Sequence, residues 1–164
     1  ESAPKQRVDN DILAHPLTVN AQEALGQESS LIYVGEKANR LSAMVFEVTV
    51  PDGYSGPIRI LVGVDGNGVL LGTRVIAHKE TPGLGDKIEK EKSDWILGFK
   101  GKSLTDPKLD RWKVKKDGGD FDQFTGATVT PRAVVNGIRR VLLYFDKQKD
   151  ALYKEYLEKA KTNP

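Results

Sequence analysis

The residues best suited to chemistry in this 164-residue chain lie in one short stretch, Asp122-Gln123-Phe124-Thr125-Gly126-Ala127-Thr128-Val129-Thr130-Pro131. Three hydroxyls, on Thr125, Thr128 and Thr130, flank the two smallest residues, Gly126 and Ala127, so a bound group can come close to the backbone there. Thr130-Pro131 predicts a helix start. Threonine suits the N-cap, and proline suits the first helical position, where its missing N–H costs nothing. A helix N-terminus with free amides and hydroxyls around it favours a phosphate. The same residues also describe an ordinary capped turn without a ligand, and the local pattern leaves both readings open.

A second stretch, Glu80-Thr81-Pro82-Gly83-Leu84-Gly85, places Pro82 and Gly83 where a type II turn needs them, because glycine accepts the positive φ of the third position. Read alone it is a tight turn. Composition removes other chemistries. The chain has no cysteine, which excludes thiolate catalysis, disulfides, zinc ribbons and Cys-ligated iron–sulfur clusters. Its two histidines, His15 and His78, form no metal motif, and a net charge of +2 is too small to point to nucleic acid. The cluster Lys113, Lys115 and Lys116 reads as a solvated strand or loop. No dinucleotide fingerprint, Walker loop or nucleophile–base set occurs, and no apolar run is long enough to span a bilayer.

The elements that must position the two stretches follow from periodicity. Phe46, Val48 and Val50 alternate on one face of a strand over 41–50. Pro51 to Pro57 breaks it, and residues 58–64 form the next strand. Asp65-Gly66-Asn67-Gly68 signals a hairpin, and residues 69–77 return as another strand. Residues 31–34 are a further short apolar run. Residues 86–97 hold short helices, and residues 112–121 read as strand then turn. A short helix is expected at 21–26 with Asn20 as a possible cap. From Pro131 the residues Val134, Ile138, Val141, Leu142 and Phe145 recur at helical spacing, and the helix extends through Leu152, Tyr156 and Leu157 with a possible break near Asp150. The fold class is α+β: a mainly antiparallel meander with a long C-terminal helix and shorter flanking helices. Residues 1–30 read as a polar lead-in, flexible over the first fifteen, and residues 31–164 as a single domain with a polar tail.

The pattern Asp122-x-x-Thr125-Gly126-Ala127-Thr128-x-Thr130 resembles the flavinylation motif of FMN-binding domains, found in Rnf electron-transport complexes and in the Na+-translocating NADH:quinone reductase. The stretch His78 to Gly85 resembles the loop that lines the flavin in the same family, and it precedes the motif in the family's order. The resemblance covers roughly residues 31–157. It implies that Thr128 carries FMN through a phosphoester bond made by a separate flavin transferase with FAD as donor. That suits a threonine, a weak nucleophile with no evident base beside it. It further implies that Thr125, Gly126, Ala127, Glu80, Thr81, Gly83 and Leu84 contribute to the cofactor site, with Leu84 covering a ring face and glycines admitting the ring or ribityl chain. Asp122 serves either the transferase or the turn, and Trp95 suits the core better than the flavin. The implied function is that of a covalent FMN electron carrier in a membrane-bound, ion-translocating complex, most like the Rnf G subunits, rather than a stand-alone catalyst. The alternatives are a C subunit of the quinone reductase, which usually has serine at the place of Thr125, and a flavin-free structural module. Implied partners are the other subunits of the complex. The implied location is the periplasmic face of the bacterial inner membrane, held by an N-terminal transmembrane helix that this chain does not include.

Overall fold

A computed structural model describes residues 7–162; the first six residues of the lead-in and the last two of the polar tail lie outside them. Five strands run β1 (Leu17–Val19), β2 (Ser30–Lys37), β3 (Arg40–Val50), β4 (Ile58–Asp65) and β5 (Leu70–Ala77). They form one antiparallel sheet in sequence order. The alternation that predicts the strands also sets their faces. Met44, Phe46, Val48 and Val50 on β3 are buried, as are Ile58, Ile60, Val62 and Val64 on β4 and Ile32 and Val34 on β2. Asp65 Oδ1 accepts the amides of Asn67 and Val69 at 2.8 and 3.0 Å and shapes the β4–β5 hairpin expected from its glycines. The β2–β3 hairpin turns instead on Ala38 and Asn39, both with positive φ. Alanine is an unusual residue for that conformation, which is why the sequence does not signal this turn.

A helix α2 (Val129–Thr162) of 34 residues, about 51 Å long, lies on the sheet. Its stripe of Val134, Ile138, Val141, Leu142 and Phe145 is buried as the spacing predicts. The expected break near Asp150 is absent. Leu152 and Tyr156 prolong the buried stripe, and no glycine or proline interrupts the helix beyond Gly137. The helix also starts earlier than expected, at Val129 rather than Pro131. Pro131 is then its third residue, still a position where no intrahelical N–H bond is lost.

The short helix near residue 21 spans Gln22–Leu25 (α1), with Ala21 rather than Asn20 at its cap position and left-handed Gly26 at its end. Residues 85–117 hold four single turns of 3-10 helix, at Gly85–Ile88, Trp95–Phe99, Leu109–Arg111 and Lys115–Asp117. The strand expected over 112–121 reduces to one isolated bridge, Val114 with Phe121. Its apolar residues serve a different purpose: Trp112 and Phe121 stack with Phe99 in a buried aromatic cluster.

The residues before β2 are fastened to the sheet and the far half of α2. The Asn10 side chain donates to Val34 O at 3.0 Å and to the Tyr156 hydroxyl at 2.8 Å, and accepts from Glu36 N–H at 2.6 Å. The Tyr153 hydroxyl donates to Glu36 at 2.5 Å, and burial together with that bond pushes its phenol above the ordinary range. Among the described residues no helix is long and apolar enough to cross a membrane.

Helix and sheet meet closely at Gly137, where an added Cβ would lie 2.5 Å from Val50 Cγ2. Gly137→Leu should therefore lift α2 from β3 and cost about 1–3 kcal/mol. A urea titration followed by circular dichroism should show a lower midpoint with an unchanged slope.

Candidate functional site

Two tight turns face each other beside the start of α2. In the first, Leu84 N–H donates to Thr81 O at 3.0 Å and Gly83 has φ +80°. This is the positive-φ third position expected from Pro82-Gly83. The Gly83 amide is held by Asp86 Oδ1 at 2.9 Å, and Asp86 is itself held by Lys92 at 3.2 Å. In the second turn, Ala127 N–H donates to Phe124 O at 3.2 Å and Gly126 has φ +76°. The two turns touch: a Cβ on Gly126 would stand 3.6 Å from Leu84 Cδ2.

The second turn delivers the chain into α2. Arg132 N–H donates to Thr128 O at 3.1 Å and closes the first helical ring, so Thr128 occupies the N-cap position. Thr130, the cap expected from the sequence, lies in the first turn, and its hydroxyl donates to buried Glu80 instead. The amides of Val129 and Thr130 have no partner within the helix, as first-turn amides never do.

Glu80 is only 4% exposed, and both of its carboxylate oxygens are engaged. Oε1 accepts Tyr54 N–H at 2.9 Å as well as the Thr130 hydroxyl, and Oε2 accepts Ser55 N–H at 2.8 Å. The Glu80 amide donates to His78 Nδ1 at 2.9 Å, which puts the ring proton on Nε2, 2.7 Å from Glu89. Gly85 lets this cluster close, because a Cβ there would fall 2.7 Å from Thr130 Oγ1.

Beneath the second turn, the Trp95 indole N–H donates to Asp122 O at 2.9 Å, and its ring meets Phe124 edge-on at 5.2 Å. Trp95 thus supports the threonine motif from below and is not part of the cavity wall. The turn Lys115–Asp117 braces the same segment from outside. Lys115 pairs with Asp122 at 2.7 Å, and Asp117 grips Arg132 through two bonds of 2.6 and 2.9 Å. The hydrogen bond from Arg132 holds the Asp117 carboxyl below the usual carboxylate range.

The cavity between the turns has a volume of about 390 Å³. Of the residues expected at a cofactor site, Thr128, Gly126, Ala127, Thr81 and Leu84 line it. Thr125, Glu80 and Gly83 do not: Thr125 is exposed at the head of its turn, Glu80 lies behind the wall, and a Cβ on Gly83 would meet nothing within 4 Å. Tyr54, Gly85, Val129 and Thr130 also form the wall. Tyr54 is the addition that sequence reading missed. A large aromatic inside Asp52-Gly53-Tyr54-Ser55-Gly56 was a signal, but only the bonds to Glu80 reveal that this loop returns to the site. Tyr54 is 71% exposed and Leu84 41% exposed, so the mouth is an apolar rim open to solvent. Among the described residues no cluster of His, Cys, Asp or Glu is arranged to hold a metal.

Comparison with known proteins assigns the chain to a family. The profile of the FMN-binding domain matches residues 53–143, a span that contains the Tyr54 loop, both turns and the first half of α2. The chain is similar to the G subunit of the ion-translocating oxidoreductase complex of Vibrio atlanticus (48% identity, 91% of this chain and 71% of that one). It is also similar to the G subunits of the same complex from Cronobacter sakazakii (55% identity, 86% and 67%) and Escherichia coli K12 (53% identity, 86% and 68%). Among solved structures, NqrC of Shewanella oneidensis shares the fold, with a TM-score of 0.54 and 24% identity over 76% of this chain and 62% of that one. With the family's matched span coinciding with the two turns and the cap of α2, the chain belongs to the FMN-binding domain family, among the G subunits of ion-translocating oxidoreductase complexes.

Proposed function

We propose that this domain carries FMN as a phosphoester on Thr128 and serves as an electron-transfer subunit of an Rnf-type ion-translocating oxidoreductase complex. The observation that carries the reading is the position of Thr128. It is at once the cap of α2 and part of a cavity wall that also includes Tyr54, Thr81 and Leu84.

The residues fit the group. The cavity volume lies in the ~300–1,000 Å³ range of small-molecule sites. The Val129 and Thr130 amides at the helix N-terminus suit a phosphate. Leu84 and Tyr54 offer apolar and aromatic surface to a flat ring, with the Thr81 hydroxyl as a polar partner. Gly126 and Ala127 keep their part of the wall small. Thr125 shapes the second turn from outside, Gly83 supplies the bend of the first, and Glu80 supports the wall from behind. When bound, the flavin supplies redox chemistry that no side chain of the site has.

The open rim gives a covalent bond a physical purpose. A ring seated against exposed Tyr54 and Leu84 is accessible to partner centres but only partly enclosed, and the ester on Thr128 keeps it in place. Among the described residues no base is hydrogen-bonded to the Thr128 hydroxyl, which suits attachment by a separate flavin transferase. The relatives' names supply the complex. Their half-identical sequences favour the Rnf G subunit over the quinone reductase C subunit, whose solved relative shares the fold alone at 24% identity. In such a complex the domain sits at the periplasmic face of the inner membrane, anchored through a preceding transmembrane helix.

Protein produced with the transferase should stay yellow after acid denaturation, and its intact mass should rise by one FMN less one water. Thr128→Ala should abolish both. Thr125→Ala should lower the yield without abolishing it; a flavin peptide mapped to Thr125 would show that the ester is misassigned. Two glycines test the loop. Gly83→Ala incurs only the strain of positive φ, about 1 kcal/mol, and should leave the flavin spectrum unchanged. Gly85→Ala drives a methyl against Thr130 and should both destabilise the fold and shift the visible spectrum of the bound flavin.

A further inference from the structure

Glu80 is a buried carboxylate. Among the described residues no lysine, arginine or histidine forms an ion pair with it. Its partners are three donors, Tyr54 N–H, Ser55 N–H and the Thr130 hydroxyl. Two oxygens that accept without a competing donor suit three converging donors, and an ionised carboxylate supplies them. A buried carboxylate balanced only by hydrogen bonds is still a costly way to join two loops to a helix. Packing alone does not account for the charge.

Its location does. Tyr54 and Thr130 belong to the cavity wall, and Thr81, the next residue after Glu80, belongs to it as well. Glu80 therefore reaches three parts of the chain that shape the cavity while standing outside the cavity itself. Shielded from solvent, its charge is screened little by salt and acts on whatever the wall holds. We propose that Glu80 is a positioning residue for the flavin, in two respects. It sets the Tyr54 loop against the first turn of α2, and its fixed negative charge behind the wall lowers the flavin's reduction potential, because reduction adds negative charge to the ring. The proposal rests on the reading of the cavity as the FMN site.

Glu80→Gln tests it. Glutamine offers one acceptor oxygen, so one of the Tyr54 and Ser55 amides must face an NH₂ group. In protein without flavin, hydrogen exchange at Tyr54 or Ser55 should speed up by about tenfold or more. In protein flavinylated to the wild-type mass, the potential should move upward. Wild-type exchange, or a wild-type potential in the fully flavinylated variant, overturns the inference and leaves the assignment of Thr128 standing. A wild-type protein that acquires no covalent flavin overturns that assignment and the inference together. If Glu80→Gln does not fold, Thr130→Val carries the test, since it removes one hydroxyl and leaves the charge and both amide bonds. It should alter the flavin spectrum, and Thr130→Ser should restore it. A wild-type spectrum in folded Thr130→Val defeats the proposal.

Discussion

Three separate segments reach the cavity, and one carboxylate holds them in register. The Glu80 side chain binds the backbone of the β3–β4 loop at Tyr54 and Ser55 and the side chain of Thr130 in α2. Hydrogen bonds to a charged acceptor are stronger than neutral ones, and a buried donor that loses its acceptor costs about 1–3 kcal/mol. The Glu80 carboxylate thus joins the β3–β4 loop to the start of α2. The closeness of Gly85 to Thr130 belongs to the same arrangement: only a residue without a Cβ lets the hydroxyl and the carboxylate meet.

The two turns repeat one device. Each is closed by a bond between its first and fourth residues, and each has glycine at the third with φ near +80°. Their backbones are fixed locally, before any ligand arrives. Trp95 below the second turn and the Asp117–Arg132 pair outside it add restraint from two more directions. The pair is exposed, so its contribution is small and falls with salt; half-buried Trp95, packed edge-on against buried Phe124, is the firmer of the two.

Much of this was legible in the sequence where short-range rules govern. Alternation gave β3 and β4, the Asp65–Gly68 glycines gave the hairpin after β4, helical spacing gave α2, and Pro82-Gly83 gave the first turn. Three of the misses share a cause. The cap of α2 moved from Thr130 to Thr128 because Glu80, fifty residues away, takes the Thr130 hydroxyl. Trp112 and Phe121 looked like strand residues, yet they serve an aromatic cluster with Phe99, which comes from another turn. Tyr54 joined the cavity through bonds that no local pattern encodes. Each depends on a partner distant in sequence, and intrinsic preference yields to such contacts.

The length of α2 has a consequence for traffic. Thr128 caps one end, and Tyr156, to which Asn10 is tied, stands 28 residues further on, roughly 42 Å along the axis. The incoming chain is thus clamped at one pole of the molecule and the cavity opens near the other. Anything that holds the domain by its early residues holds it at arm's length, with the cavity mouth free to meet a second body. The helix is a spacer as well as half of the core, and its unbroken run through Asp150 keeps that spacing stiff.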